Sequence, residues 1–508
     1  MVNRSLNTAA PAARLRSSAL PTWLLVTLAA LALFRYAYIL WGPLDLAPDE
    51  AHYWEWSRHL DLGYYSKGPM IAWLIAVGTG IAGHTELGMR LLAPLLSLLV
   101  ALLAYAFTVQ VWQSRSAGAI AALLFTLSPV FFIGGLVMTT DVPMVLFWLS
   151  TLWFVWLAAI RQQAWAWHAA GLATGLGLLT KLSMGLLPAA VFVYLLAQPR
   201  LRHWLRRPEP YLAALIAALC TLPMLWWNVE HGWGTFMHAG QHVREGDTSL
   251  GHWLAFLGGQ IGIISPILYA LAALGVWRAM RLDEPEPGRY GIILWPSLLT
   301  LAFYYGKAAV GTVNANWPVA AYVGLFIIAA GPLARLTRRA WLTGGFALAA
   351  ASLAIVLSTD LLRDSGIPIP RRLDASHQMR GWSSMAQWVE QIRGHSGPAF
   401  IVSDTYQTAS SLAFYLPDHP QVYNVNFGGR RFNQYDFWPD FENRRGQNAI
   451  LVMEGRHPAA PPQWQQRFDA CAPAQHFDAT TQGVTWREYT LVFCRNYQGG
   501  DWPRPERY

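Results

Sequence analysis

The chain has 508 residues, 54% of them hydrophobic and only 13% charged, with a formal net charge of +8. It is too apolar and too poor in charge for a soluble enzyme of this length, and the composition points to a chain that crosses a membrane many times. The positive excess falls in loops on one side of that membrane, so nucleic acid is not expected as a partner.

Apolar runs cover residues 20–41, 87–112, 117–138, 142–160, 166–180, 182–198, 210–227, 253–277, 290–305, 317–333 and 341–358. Each is long enough, or nearly so, to cross about 30 Å of hydrocarbon as helix, which predicts about eleven spans. The shorter run 69–83 follows a polar, aromatic segment and reads as a helix that lies at the interface or re-enters. Arg4, Arg14 and Arg16 precede the first run, and Arg115, Arg161 and the arginines within 200–207, 278–289 and 335–339 fall on the same side. By the positive-inside rule that side is cytoplasmic. The loop after the first run and everything beyond about residue 360 then lie outside, in the periplasm of a bacterial cell with the chain in the inner membrane. Residues 1–19 lack a small-residue cleavage site after an apolar core, so they read as a cytoplasmic segment ahead of a retained anchor.

The expected fold is therefore an all-α polytopic membrane domain over residues 20–358, followed by a soluble α/β domain over 359–508. Pro, Gly and charge appear together at 358–370, where the apolar runs stop. Beyond this boundary the pattern predicts helix at 382–393, strand at 399–403, helix at 405–416, and strands at 421–424, 449–454 and 489–494. Of three cysteines, Cys220 lies in an apolar run, while Cys471 and Cys494 share the outer tail, where a disulfide between them is expected. Without a Cys-x-x-Cys pair, no structural zinc site of that kind is indicated.

Asp49 and Glu50 stand about eight residues beyond the first apolar run. A carboxylate at a membrane edge is costly to desolvate, and two adjacent ones suggest chemistry; an N-cap for the helix starting there is the simpler use. The chain has only three lysines, Lys67, Lys181 and Lys307, all at outer ends of apolar runs, against 34 arginines. A lysine serving only as a topology charge belongs on the other side. A compact ammonium that contacts phosphate fits this placement, with snorkelling at the interface as the plainer account. Asp141, the single formal charge in its outer hairpin, could merely cap the helix ahead of Val142-Pro143. Together, outer carboxylates and lysines suit transfer from a lipid phosphate: a carboxylate deprotonates or orients the acceptor, and cations stabilise the departing phosphate. His231, His238, His242 and His252 share one outer loop with Glu230, Glu245 and Asp247, but their spacings of seven, four and ten match no common metal-ligand set. An aromatic, partly helical loop packed over the site accounts for them equally well.

The motifs Pro48-Asp-Glu-Ala-His-Tyr-Trp-Glu-Trp56, Tyr64-Tyr-Ser-Lys-Gly-Pro-Met70, Thr140-Asp-Val-Pro143, Gly175-Leu-Gly-Leu-Leu-Thr-Lys181 and Asn314-Ala-Asn-Trp-Pro318 resemble those of bacterial GT-C glycosyltransferases in the protein mannosyltransferase and aminoarabinose transferase superfamily. The resemblance runs over about residues 20–335. It implies inverting transfer of one sugar from a polyprenyl-phosphate-linked donor to a lipid or glycan acceptor of the cell envelope, lipopolysaccharide included, at the periplasmic face. It implies Asp49 as base, with Glu50 and Asp141 as accompanying acids, and Lys67 on the carrier phosphate. Lys181, Lys307, His52 and Arg58 are grouped with Lys67 as candidate phosphate contacts. Two positions depart from the aminoarabinose branch. His52 stands where that branch has an arginine, which weakens a claim to the same donor, and Ser66 stands where it has a glutamate, which removes a potential metal ligand. No cofactor and no required metal are expected. Protein O-glycosylation is the alternative within the class; a lipid-linked sugar flippase is the alternative outside it, disfavoured because charges deep in the runs are nearly absent, Arg35 being the main exception.

Overall fold

The computed structural model describes residues 19–244, 249–284, 288–367, 369–427, 432–500 and 502. Arg4, Arg14 and Arg16, and with them the expected cytoplasmic segment up to residue 18, lie outside the described residues, as do Glu245 and Asp247.

Helices dominate the first two-thirds of the chain. Among the described residues, five are long and apolar enough to cross a membrane: Thr22–Trp41, Glu86–Trp112, Asp141–Ala159, Glu209–Glu230 and Arg339–Leu357. A sixth crossing is added if Leu250–Ile264 and Pro266–Ala279 together form one broken span. Shorter apolar helices fill the bundle, among them Met70–Ala82, Arg115–Leu127, Leu182–Ala197 and Ala321–Ala334.

Two of the runs expected as single spans are interrupted. The run 117–138 is helical only to Leu127; Ser128 is extended, and Pro129 opens a second helix, Pro129–Gly134. The run 253–277 bends by 95° at Ser265, whose φ of 81° lies in the left-handed region and precedes Pro266. In both places proline removes a backbone donor and pushes the preceding residue out of the α conformation. Hydropathy does not register such a break because the side chains around it stay apolar.

Close approach of helices depends on small residues. Glu209–Glu230 packs along Trp165–Leu178, and a Cβ added at Gly171 would lie 2.7 Å from Ala213 Cα. Small residues let helix backbones touch where lipid tails offer no hydrophobic drive for association.

The tail forms a mixed six-stranded sheet: β1 (Ala399–Ser403), β2 (Val422–Asn424), β3 (Asn448–Glu454), β4 (Phe468–Cys471), β5 (Gln475–Thr481) and β6 (Val484–Tyr497). The order is β2-β1-β3-β6-β4, with β5 also paired to β6. The pairings of β1 with β2 and β3 are parallel, and those of β6 are antiparallel. Cys471 and Cys494 face each other across β4 and β6 and are joined by a disulfide. Trp382–Ser396 and Tyr406–Tyr415 are the principal helices packed on this sheet.

One hydrophobic core runs from the first outer loop into the sheet, joining Leu46, Trp54, Trp56 and Ile71 to Trp382, Ile401, Leu412 and Tyr489. Polar contacts pin the same junction. Asp45 Oδ2 accepts from the Trp382 N–H at 2.8 Å, and the Leu46 N–H donates to the Tyr415 hydroxyl at 2.6 Å. The outer helix Pro48–Arg58 is thus held between the helical bundle and the tail.

Candidate active site

Pro48 at the first helical position and Glu50 two residues later start the helix Pro48–Arg58; Glu50 Oε2 accepts from the Ala47 N–H at 3.0 Å and satisfies a free donor of the first turn. Asp49, between them, is open to solvent, yet protein surrounds it so closely that its carboxyl is desolvated. Burial pushes the Asp49 carboxyl above the usual carboxylate range, while the Lys67 ammonium and a hydrogen bond from Tyr406 pull it back. The Tyr406 hydroxyl donates to Asp49 Oδ1 at 3.4 Å, so the tail supplies a group to the acid.

Lys67 owes its position to Gly68. A Cβ at residue 68 would collide with the Leu179 carbonyl, and the same carbonyl accepts from the Met70 N–H at 3.1 Å. The Lys67-Gly68 turn is therefore pressed against the end of the helix Trp165–Leu178, close to Lys181. Burial lowers the Lys67 ammonium to about 8; Lys181 acts in the same direction, and Asp49 and Asp141 oppose it.

Asp141 opens the helix Asp141–Ala159. Its Oδ1 receives Lys181 Nζ at 2.7 Å and its Oδ2 receives Asn316 Nδ2 at 2.6 Å. Both oxygens are engaged, and the side chains of Lys181 and Asp141 are only 14% and 16% exposed. Asp49, Lys67, Asp141 and Lys181 all act on one another electrostatically, so four residues far apart in sequence converge: two carboxylates, two ammonium groups.

Four residues grouped with them from sequence stand elsewhere. Glu50 is fully buried, with Oε1 taking Arg90 Nε at 2.9 Å and the Met138 N–H at 2.8 Å, and Oε2 taking Arg90 Nη2 at 2.7 Å. Fully buried, with each oxygen occupied by donors, Glu50 ties three segments together. His52 is enclosed by Trp56, Tyr406 and Tyr435, with Nδ1 3.1 Å from Ser410 Oγ. Burial drives its imidazole down to about 3; a neutral ring supplies no cation to a phosphate. Arg58 pairs with Glu55 at 3.2 Å, donates to the His419 carbonyl at 2.9 Å and covers the Trp54 ring. It serves the junction with the tail. Lys307 lies 4.4 Å from the centre of the Trp317 ring, on the neighbour of Asn316, rather than on either carboxylate.

The histidine loop packs over the first outer loop. His231 stacks on Trp227 at 4.1 Å, and Trp227 Nε1 donates to Asp61 at 2.8 Å. His238 Nδ1 lies 2.8 Å from the Tyr65 hydroxyl. The side chain of His242 lies outside the described residues. Among those described, no three His, Cys, Asp or Glu side chains cluster as a metal site.

Asn316 and Tyr406 were not singled out from sequence. Asn316 carried a signal, since it stands in the Asn314-Ala-Asn-Trp-Pro318 motif at the outer end of a run. Tyr406 carried none, because its approach to Asp49 depends on how the tail docks.

A family described as dolichyl-phosphate-mannose-protein mannosyltransferase matches residues 66–227. The chain is 28% identical to the lipid A galacturonosyltransferase RgtD of Rhizobium johnstonii over 76% of its own length and 81% of that protein's. It is 26% identical to an undecaprenyl phosphate-alpha-4-amino-4-deoxy-L-arabinose arabinosyl transferase of Pectobacterium carotovorum, over 64% of each chain. The fold resembles that of ArnT from Cupriavidus metallidurans, solved bound to undecaprenyl phosphate, with a TM-score of 0.67 at 20% identity, covering 93% of this chain and 98% of that one. In sequence the chain is similar to glycosyltransferases of the superfamily that contains the protein mannosyltransferases and aminoarabinose transferases, and in fold it is similar to ArnT.

Proposed function

We propose that the protein moves a single sugar from a polyprenyl-phosphate-linked donor to lipid A or a related envelope glycan, with inversion, at the periplasmic face of the bacterial inner membrane. The observation that carries this reading is the convergence of solvent-reached Asp49 with Lys67, Asp141 and Lys181, two carboxylates beside two ammonium groups. Asp49 takes the proton of the acceptor hydroxyl as that oxygen attacks the anomeric carbon. The bond from the anomeric carbon to the phosphate oxygen breaks, and the polyprenyl phosphate leaves with its new negative charge beside Lys67. Asp141 is a positioning residue, since its oxygens are taken by Lys181 and Asn316; it holds Lys181 toward the same phosphate. Lipid A as acceptor is supported by the names of the relatives, RgtD above all.

Eleven spans, a cytoplasmic amino terminus and a periplasmic domain from about residue 359 belong to the same proposal. They rest on the arginine-rich loops of one side and on Asp49, Asp141 and the lysines of the other. The experiment is transfer of labelled sugar from synthetic lipid-linked donors by reconstituted protein. Asp49→Asn should fold and insert normally but yield no covalent product; undiminished transfer by that variant would remove Asp49 from the reaction.

A further inference from the structure

Arg35 lies in the first membrane helix, Thr22–Trp41, and is only 2% exposed. Its Nε and Nη2 are buried without a hydrogen-bond partner among the described residues. Among the described residues, its charge is compensated by the Phe132 ring, 4.6 Å away, which is a weak substitute for an anion. A guanidinium buried among apolar helices is costly unless an anion completes it.

A cavity of about 190 Å³ lies beside this charge. Its walls are mostly apolar and include Val100, Phe131 and Val145, but Asp141 and Asn316 line it too, so it is continuous with the site described above. Gly135 packs against both Arg35 and the cavity-lining Ser97. A Cβ there would fall 2.7 Å from Arg35 Nε and 2.9 Å from Ser97 Cβ, and Ser97 lines the cavity together with Gly134. The guanidinium and Ser97 therefore meet at the vacant Cβ position of Gly135.

We propose that this cavity is a second substrate subsite, in which Arg35 is the counter-charge for an oxyanion, carboxylate or phosphate, carried by an apolar or sugar-bearing ligand. The guanidinium fork suits either oxyanion through paired N–H groups, and the apolar walls exclude the water that would otherwise screen it. Lys181 and Lys67 already stand by Asp141 at the cavity wall, so Arg35 reads a different anion from the one they hold. Its two sources are the carboxylate of an acidic sugar and a phosphate of a lipid substrate. The proposal rests on the lipid-linked donor reading only for its choice of probes.

The test uses the full chain in lipid nanodiscs with Ser97→Cys, and reads maleimide labelling at position 97 by peptide mass. The probes are polyprenol, polyprenyl phosphate, and polyprenyl-phosphate-linked hexose and hexuronic acid. Anionic probes should protect position 97 at far lower concentration than polyprenol, and should still do so with Lys67→Gln. Arg35→Gln should raise the half-protecting concentration about thirtyfold for the probes whose anion it holds, and leave polyprenol unchanged. Loss confined to the hexuronic acid probe identifies the sugar carboxylate; loss with every phosphate-bearing probe identifies the phosphate. Gly135→Ala, which displaces the guanidinium while keeping its charge, should give the same shift. Protection by polyprenol equal to that by the anionic probes in the Lys67→Gln protein, or unchanged protection in both Arg35→Gln and Gly135→Ala, overturns the proposal. Absence of covalent transfer from every lipid-linked sugar while protection persists would instead count against the transferase reading alone.

Discussion

Glu50 and Arg90 meet in a two-point ion pair, Nε to Oε1 at 2.9 Å and Nη2 to Oε2 at 2.7 Å, with side chains 0% and 4% exposed. Arg90 also donates to the Asp45 carbonyl at 2.9 Å, and Asp45 in turn caps the start of the tail helix at Trp382. The pair therefore couples the first outer loop to the bundle and to the tail.

Removing one partner leaves the other charged and buried. Glu50→Ala is expected to destabilise the protein by about 3–5 kcal/mol, the range for orphaning a buried ion. Arg90→Met combined with Glu50→Leu should recover much of that loss. Thermal unfolding of detergent-solubilised protein checks both; a Glu50→Ala protein that melts like the wild type while losing all transfer would return Glu50 to the reacting groups.

Asp141 accepts from Lys181 and Asn316 with different oxygens, so the two donors are separable. Asn316→Ala should leave the ion pair in place and reduce transfer modestly, by about tenfold, the worth of one hydrogen bond to a charged group. Asp141→Asn frees Lys181 and is expected to cost about a hundredfold or more in kcat, as loss of an aligned electrostatic group does. Steady-state transfer kinetics on purified variants distinguish the two; equal losses would mean that the three side chains act as one unit.

The pH profile follows from two opposed groups. Asp49 accepts a proton only when ionised, and burial raises the pH at which it ionises. Lys67 supports a phosphate only when protonated, and burial lowers it to about 8. Transfer should rise with pH through the Asp49 ionisation and fall through about pH 8, giving a bell in kcat/KM, which reports the free enzyme. Lys67→Arg should move the alkaline limb upward, since a guanidinium stays protonated there. An alkaline limb that does not move assigns it to another group.

Much of this was legible in the sequence because it depends on local pattern. The strands expected at 399–403, 421–424 and 449–454 and the helix expected at 405–416 match β1, β2, β3 and Tyr406–Tyr415, and the strand expected at 489–494 is the middle of β6, where β-branched and aromatic residues cluster. β4 and β5 escaped because Phe468–Cys471 and Gln475–Thr481 are short or polar and are ordered by pairing with β6. Lys67 and Lys181 were legible as positive charges on the wrong side for topology, and Asp49 and Asp141 as carboxylates at the outer ends of apolar runs. The places of His52 and Arg58 were not. Their distance in sequence from Asp49 is small, but the helix turns them toward Tyr435, Ser410 and His419 of the tail, and tertiary docking decides what they touch.

The same docking buries Glu55, whose side chain is 2% exposed beside Arg58. Burial raises its carboxyl to about 7, with Arg58 opposing. In the unfolded chain the group ionises near 4.5, so between these values the folded protein holds a proton that the unfolded chain has released. Stability from this group is fully present below about pH 4.5 and is lost as pH rises through about 7. Glu55→Gln keeps the shape, accepts from Arg58 through its amide oxygen and has no proton to release. The variant should therefore unfold at a temperature that changes less than the wild type's between pH 5 and pH 8, roughly the interval over which the linkage acts. Because Glu55 lies on the helix that carries Asp49, the pH-dependent loosening should appear first as weakened contact between that helix and the tail. Hydrogen exchange of residues 48–58 at the two pH values measures it. Equal protection of this segment at both, in wild type and variant alike, would mean that Arg58 keeps Glu55 ionised throughout.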